Sequence, residues 1–271
     1  MLSIDKTKIR NLTLLVGSMM TVLAATILAP ALPAMTEAFD DVPNAEFLVR
    51  LTLTLPALFI VIGAPFTGIL LDKWGRKPVV LIGLLVFGLA GTAGFTLSSL
   101  TTILVSRAIL GLAVAGVMSG FTTLIADYFS GPRLNQFLGY QGAFIGLGGV
   151  ISLLVAGFLV DVGWRYPFLI HSFAFLVLLG VLFAVDEPEI QDEIGQPDTA
   201  EDKRSFPWKS VAPIYAIAAI VMMLFFAIPT QLPFYLAPLD GIDGGRVGLA
   251  LALPTLSSIL FALQYQRFKA R

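Results

Sequence analysis

The stretch Gly68-Ile69-Leu70-Leu71-Asp72-Lys73-Trp74-Gly75-Arg76-Lys77 decides how this chain is read. Asp72, Lys73, Arg76 and Lys77 fall within about one and a half helical turns. Long apolar runs flank them, at 47–71 and 78–98. Charge in so short a gap can be solvated only at a membrane surface, in a tight turn between two spanning helices. Gly68 and Gly75 permit close helix approach and a sharp turn. Asp72 and Arg76 are four residues apart and share a face if the turn is helical. A plain topology signal with an incidental acid is the simpler alternative.

Composition agrees with a bilayer setting. The chain of 271 residues is 57% hydrophobic and only 13% charged, with mean hydropathy +0.88. Soluble domains carry about 25% charged residues. Cysteine is absent, which removes disulfides, thiolate metal sites and cysteine nucleophiles. His171 is the single histidine, which argues against a histidine-based zinc site. No Gly-Lys-Ser/Thr closes a glycine-rich loop, so the P-loop signature of ATP hydrolysis is missing. A net charge of −1 leaves no nucleic-acid footprint. A non-enzyme without cofactor or metal is the expectation.

Apolar runs of about 20 residues predict eight spans, at 12–35, 47–71, 78–98, 102–126, 136–160, 166–185, 211–236 and 247–264. The first follows Lys6, Lys8 and Arg10 but is too long for the apolar core of a signal peptide, so it reads as a retained helix. An inside N-terminus puts thirteen of the 17 Lys and Arg residues on the cytoplasmic side, against Arg50, Arg165 and Arg246 outside. Both termini are then cytoplasmic. Trp74, Trp164 and Trp208 fall at span ends, as interfacial anchors do.

The predicted architecture is all-α and polytopic, in three parts. Residues 1–185 form a six-helix amino-terminal bundle. Residues 186–210 form an acidic linker, read as a solvated tether with a docking role as the alternative. Residues 211–271 carry two helices of a second bundle. Pro30 and Pro33 end the first span, and Pro229 and Pro233 end the seventh, a weak echo of repeated halves.

Several polar residues inside spans are candidates for function. Arg107 lies in the fourth span, where a charge costs about 2.5–3.5 kcal/mol at the bilayer centre. It faces a wet cavity or partner, or snorkels to the outer surface. Thr230 and Gln231 sit between two prolines, where a disrupted helix would expose carbonyls to a substrate cavity, and Gln141 joins them from the fifth span. His171 either titrates or packs. Asp127 closes the fourth span, as a partner for a cation or as a simple interfacial charge. Gly139, Gly142, Gly146, Gly148, Gly149 and Gly157 allow close packing along the fifth span.

Taken together these residues resemble the major facilitator superfamily, in its drug/proton antiporter branch. Gly68, Asp72, Gly75, Arg76 and Lys77 match its motif A, with Leu71 for a small residue and Lys73 for arginine. Arg107 and Gly111 match its motif B, with Leu110 in place of the usual glutamine. Gly142, Gly146 and Gly149 resemble its motif C, although Leu147 stands where proline is expected. Trp164-Arg165-x-x-Phe168 matches the start of the sixth helix. The resemblance implies a twelve-span fold, of which this chain covers the first bundle and two further helices. It implies that Asp127 pairs with Arg76 while Asp72 caps a helix start in the other half, locking the outward-open state. It implies proton-coupled efflux of small amphipathic or drug-like molecules by alternating access, and hence multidrug resistance. The implied setting is the lipid bilayer of the cell (inner or plasma) membrane, with a proton gradient in place of any cofactor. Two alternatives stand beside it. One is a truncated, transport-incompetent fragment, or a half needing a partner chain. The other is a solute uptake carrier of the same superfamily. The first span contains no carboxylate, so no proton carrier is named, and neither substrate nor oligomeric state follows.

Overall fold

In hydrocarbon every backbone N–H and C=O must pair within its own segment, so long apolar runs become helices. The computed structural model describes residues 5–188, 208–239 and 241–269, and those residues form helices and turns without a strand. In chain order they are α1 (Lys6–Thr26), α2 (Leu32–Ala38), α3 (Ala45–Trp74), α4 (Arg76–Ala93), α5 (Leu100–Tyr128), α6 (Gly131–Val162), α7 (Phe173–Ala184), α8 (Trp208–Leu236) and α9 (Gly244–Lys269). Among the described residues, seven stretches are long and apolar enough to cross a membrane. The eighth expected span falls on α9, which is helical throughout.

The span limits differ from expectation where proline intervenes. The first span runs from Lys6 to Ala38 and is broken by a 3₁₀ turn at Ala29–Ala31, between α1 and α2. The sixth starts as a 3₁₀ turn, Tyr166–Ser172, and becomes α-helical only at Phe173. The seventh does the opposite. Helix α8 runs unbroken through Pro213, Pro229 and Pro233. The echo between the first and seventh spans is therefore not one of shape.

Helix α5 is the centre of the packing, against α3 on one side and α4 on another. Helix α1 packs on α6, α5 and α7, and α9 lies along α6. Two buried polar contacts tie α1 to α6. Gln141 Nε2 donates to Ser18 Oγ at 3.0 Å, and the Thr26 and Ser152 hydroxyls are 3.1 Å apart. Helix α8 contrasts with the rest, since none of its apolar window is buried.

Small residues decide which faces touch. A Cβ on Gly111 would lie 2.4 Å from Pro56 O, so α5 meets α3 backbone to backbone there. A Cβ on Gly91 would lie 2.4 Å from His171 Cβ. Gly148 and Gly149 press on Met19 and Val22 of α1. By contrast, Cβ atoms on Gly68, Gly139 and Gly142 would meet nothing within 4 Å. Expected helix contacts at those three positions are thus not made among the described residues.

The contrast predicts opposite outcomes for one substitution. Gly91→Ala should lower the unfolding temperature of the detergent-solubilised protein, by an overpacking cost of about 1–3 kcal/mol. Gly142→Ala should leave it unchanged or slightly raised, because alanine favours a helix by about 1 kcal/mol over glycine. Equal behaviour of the two variants in a thermal-shift measurement would contradict this packing.

Candidate functional site

One residue joins α3 to α4. Gly75 has φ 90° and ψ 168°, and it ends the first helix and begins the second. Only glycine adopts that φ without strain. The start of α4 leaves backbone amides without helical partners. Arg76 N and Lys77 N donate to the two oxygens of Glu187, at 2.5 and 2.7 Å. Pro78 follows and has no N–H to satisfy. Glu187 therefore completes the first turn of a helix 111 residues before it. A Cβ on Gly75 would sit 2.5 Å from the same carboxylate, a second reason for glycine.

The side chains of that turn reach the neighbouring helix ends. Arg76 Nε donates to Asp127 Oδ2 at 3.0 Å, with 14% and 29% of the two side chains exposed. This is the contact that the resemblance implies. Arg76 Nη1 also donates to Leu71 O at 3.3 Å, in the last turn of α3. Lys77 Nζ donates to Leu182 O at 3.1 Å, in the last turn of α7. Cations at helix C-termini satisfy free carbonyls and favour the dipole.

The beginning of the acidic segment makes contacts here too, while its Asp186 side chain stays exposed. Lys6 Nζ donates to both oxygens of Asp186 at 2.9 Å, and Tyr128 Oη donates to Asp186 O at 2.5 Å. The Arg10 guanidinium lies 4.2 Å from the Tyr128 ring centroid. The hydrogen bond from Lys6 holds the Asp186 carboxyl below its ordinary pKa, against an opposing effect of burial. The acidic residues of the linker from Glu189 to Asp202 lie outside the described residues. So do the side chains of Trp208, Arg267 and Lys269.

Asp72 stands apart. It is exposed at the end of α3 and has no partner among the described residues. The expected face shared with Arg76 is not formed, because the helix ends at Trp74 and Gly75 turns the chain away.

Of the readings of Arg107, the geometry favours the partnered one. It does not snorkel, being fully buried in α5. Its Nη2 donates to Ala90 O at 3.0 Å and to Gly91 O at 2.8 Å, among the last carbonyls of α4. Its Nη1 is 3.5 Å from His171 Nε2, and its guanidinium lies 4.9 Å from the Phe168 ring centroid. His171 Nδ1 lies 3.0 Å from Phe168 O. A proton on Nδ1 leaves Nε2 as acceptor, so this arrangement suits a neutral imidazole facing a cation. Arg107 Nε has no partner among the described residues. The motif B arginine thus closes the end of α4.

The expected substrate cavity is not assembled as foreseen. Gln141 is buried on Ser18. Thr230 Oγ1 donates back to Phe226 O at 2.7 Å on its own unbroken helix, so no disrupted turn exposes carbonyls there. Gln231 is exposed on the same helix. Among the spaces formed by the described residues, two border both α1 and α6. One of about 500 Å³ lies between α1, α6 and the start of α7, lined by Met19, Gly148, Ile151, Val155, Leu169 and Phe173. A smaller one of about 40 Å³ lies between α1, α6, α8 and α9, at Thr26, Leu153, Phe225, Pro229, Leu251 and Thr255. Neither is lined by Gln141, Thr230 or Gln231.

Seven membrane-length helices, a one-residue charged turn and a buried arginine define an integral, polytopic helical membrane protein. Residues 14–268 match the sequence profile of the Major Facilitator Superfamily, and the chain belongs to that family. It is 30% identical over 169 residues to multidrug resistance protein 1 of Bacillus subtilis (strain 168), covering 62% of this chain and 43% of that protein. It is 29% identical over 246 residues to the class E tetracycline resistance protein of Escherichia coli, covering 87% of this chain and 60% of that one. The chain thus spans between 43% and 60% of those relatives. Its fold is similar to that of a D-xylose-proton symporter, with TM-score 0.74 at 13% identity, over 97% of this chain and 70% of the symporter.

The cap on α4 is directly testable. Glu187→Ala should speed deuterium uptake in peptides covering residues 76–80, since two amides lose their acceptor. Peptides from residues 155–165, at the other end of α6, should exchange as before. Unchanged uptake at 76–80, read by mass spectrometry, would contradict the cap.

Proposed function

We propose that the chain belongs to a secondary active transporter that exports small amphipathic or drug-like molecules, driven by the proton gradient. Its place is the cell (inner or plasma) membrane, with both termini and the charged turn on the cytoplasmic side. Residues 1–185 form one bundle and 211–271 part of a second, joined by the linker 186–210. Rocking of the two bundles would expose a central cavity to each side in turn. The proton gradient includes an electrical part of about 2.3 kcal/mol per charge per 100 mV.

The observation that carries this reading is the pair Arg76–Asp127 at a one-residue turn, beside an exposed and unpartnered Asp72. The pair fixes α4 against α5 and leaves Asp72 free for a helix start in the other bundle. A carboxylate suits the unpaired amides and positive end of a helix N-terminus. Such a contact can hold one conformation and break in the other. Gly68, Gly75 and Lys77 serve the same gate, and Arg107, Gly111, Gly142, Gly146 and Gly149 complete the family's motifs. Both relatives named above are resistance proteins, which supports drug-like substrates. The apolar lining of the spaces around α1 and α6 supports apolar over sugar-like or phosphorylated cargo.

A second reading, uptake within the same superfamily, has one observation in its favour. Leu147 follows Gly146 on an unbroken α6, where the antiporter pattern has proline.

Asp72→Asn should cut export of a fluorescent lipophilic cation roughly tenfold, the factor for about 1.4 kcal/mol of lost contact. The amount of protein in the membrane should not change. Unaltered export would remove Asp72 from the gate. Gradient-driven entry of solute would favour uptake. Absence of flux in either direction for the unsubstituted chain would favour a piece of a transporter that needs the remainder.

A further inference from the structure

The end of the bundle opposite Gly75 holds a second carboxylate on a helix start. Asp161 is 30 residues beyond Gly131 on α6, about 45 Å along the axis. Its Oδ1 accepts from Gly244 N at 2.7 Å and its Oδ2 from Gly245 N at 3.3 Å. The next amide, Arg246 N, donates to Asp243 Oδ1 at 2.8 Å, and Val247 N donates to Asp243 O at 3.1 Å. Three orphan amides at the start of α9 are thus met, two from Asp161 on α6 and one from Asp243 just before the helix, and Val247 N makes the first ordinary helical bond.

The backbones come together under this cap. A Cβ on Gly244 would lie 2.5 Å from Gly157 O and 2.8 Å from Asp161 Oδ1. A Cβ on Gly248 would lie 2.5 Å from Leu153 O, and one on Gly157 would lie 3.1 Å from Gly248 Cα. Gly244-x-x-x-Gly248 against Gly157 is the small-residue arrangement that lets membrane helices approach closely. Gly244 and Gly157 are needed for the carboxylate to reach its amides.

We propose that Asp161 is a latch for the outer end, a positioning residue that holds α9 on α6 while that end is shut and lets go when it opens. Three features make it a latch as distinct from a fixed brace. Asp161 is exposed, so water can replace it on the amides of Gly244 and Gly245 as the helices part. Asp243 travels with α9, so the helix keeps its own cap in either state. At Gly157, Gly244 and Gly248 the contact is backbone on backbone, so no side chain at those three positions has to withdraw. The arrangement mirrors the one proposed for Asp72 at the cytoplasmic end, with a carboxylate on one bundle closing a helix start on the other. Breaking one latch while the other forms would make the two open states exclusive. This inference rests on the transporter reading in one respect, that α9 moves relative to α6.

The chain has no cysteine, so two introduced ones alone carry label. Spin labels would be placed through Phe47→Cys on α3 and Leu249→Cys on α9, both exposed and both outside the latch. Distances between them would be measured by pulsed electron resonance in lipid nanodiscs. The latch predicts a distribution dominated by a short distance in the parent. Asp161→Ala should lower the ratio of short to long populations about fivefold, the effect of losing one helix cap. Asp161→Asn should fall between the two. Asp243→Ala, which removes a cap internal to α9, should leave the distribution as in the parent. The latch is overturned if Asp161→Ala keeps the parent distribution, or if Asp243→Ala widens it equally, since Asp161 would then only support the helix. Loss of transport by the parent chain with a widened Asp161→Ala distribution would count against the exporter reading and leave the latch standing.

Discussion

A single glycine separates two membrane spans, and the geometry of the charged end follows from that shortness. With no loop to carry them, the amides at the start of α4 and the carbonyls at the end of α3 face each other across Gly75 and must be satisfied by side chains from elsewhere. Glu187 supplies the acceptor and Arg76 the donor. Asp127 then balances Arg76, and Lys77 binds the end of α7. Three helix ends and the beginning of the linker are thereby tied to one turn. A disturbance at Gly75 is therefore felt at once by α3, α4, α5 and α7.

Inside the bundle the same rule of satisfied backbone groups explains Arg107. A lone charge in hydrocarbon is costly. Here the guanidinium replaces the water that would otherwise meet the last carbonyls of α4, and the Phe168 ring covers its face. The His171 ring completes the site, with Nε2 3.5 Å from Arg107 Nη1, and Gly91 makes room for it. The residue that composition singled out as expensive is thus a helix cap turned inward. Its carbonyls come from α4 and its aromatic neighbours from the start of the sixth span, so α5 is keyed to both.

Much of this was legible in the sequence because the bilayer is a severe filter. Runs of about 20 apolar residues have few alternatives to a helix, and a Gly-Arg-Lys turn between two of them leaves little choice of connection. The family resemblance added the partner of Arg76. Contacts between distant residues were harder to read. Glu187 was hidden in a run of acids whose composition suggests only solvation, and nothing local marks it as the cap of a helix 111 residues earlier. The prolines misled in the seventh span, where Thr230 bonds to its own helix and no break follows. Glycines cannot announce whether they face a neighbour, as Gly111 does, or open space, as Gly142 does. Asp161 carries no signal at all until Gly244 and Gly245 are placed beside it.

The central claim is that the ion pair at the turn is part of the transport gate. The direct test is a charge exchange in reconstituted vesicles bearing a proton gradient, with flux of a lipophilic cation as the readout. Arg76→Asp and Asp127→Arg should each abolish flux, by setting like charges against each other where an ion pair now stands. The doubly exchanged chain should recover a substantial part of it, because opposite charges again face each other. Full flux in either single variant, or no recovery in the double one with protein levels equal, would contradict the account.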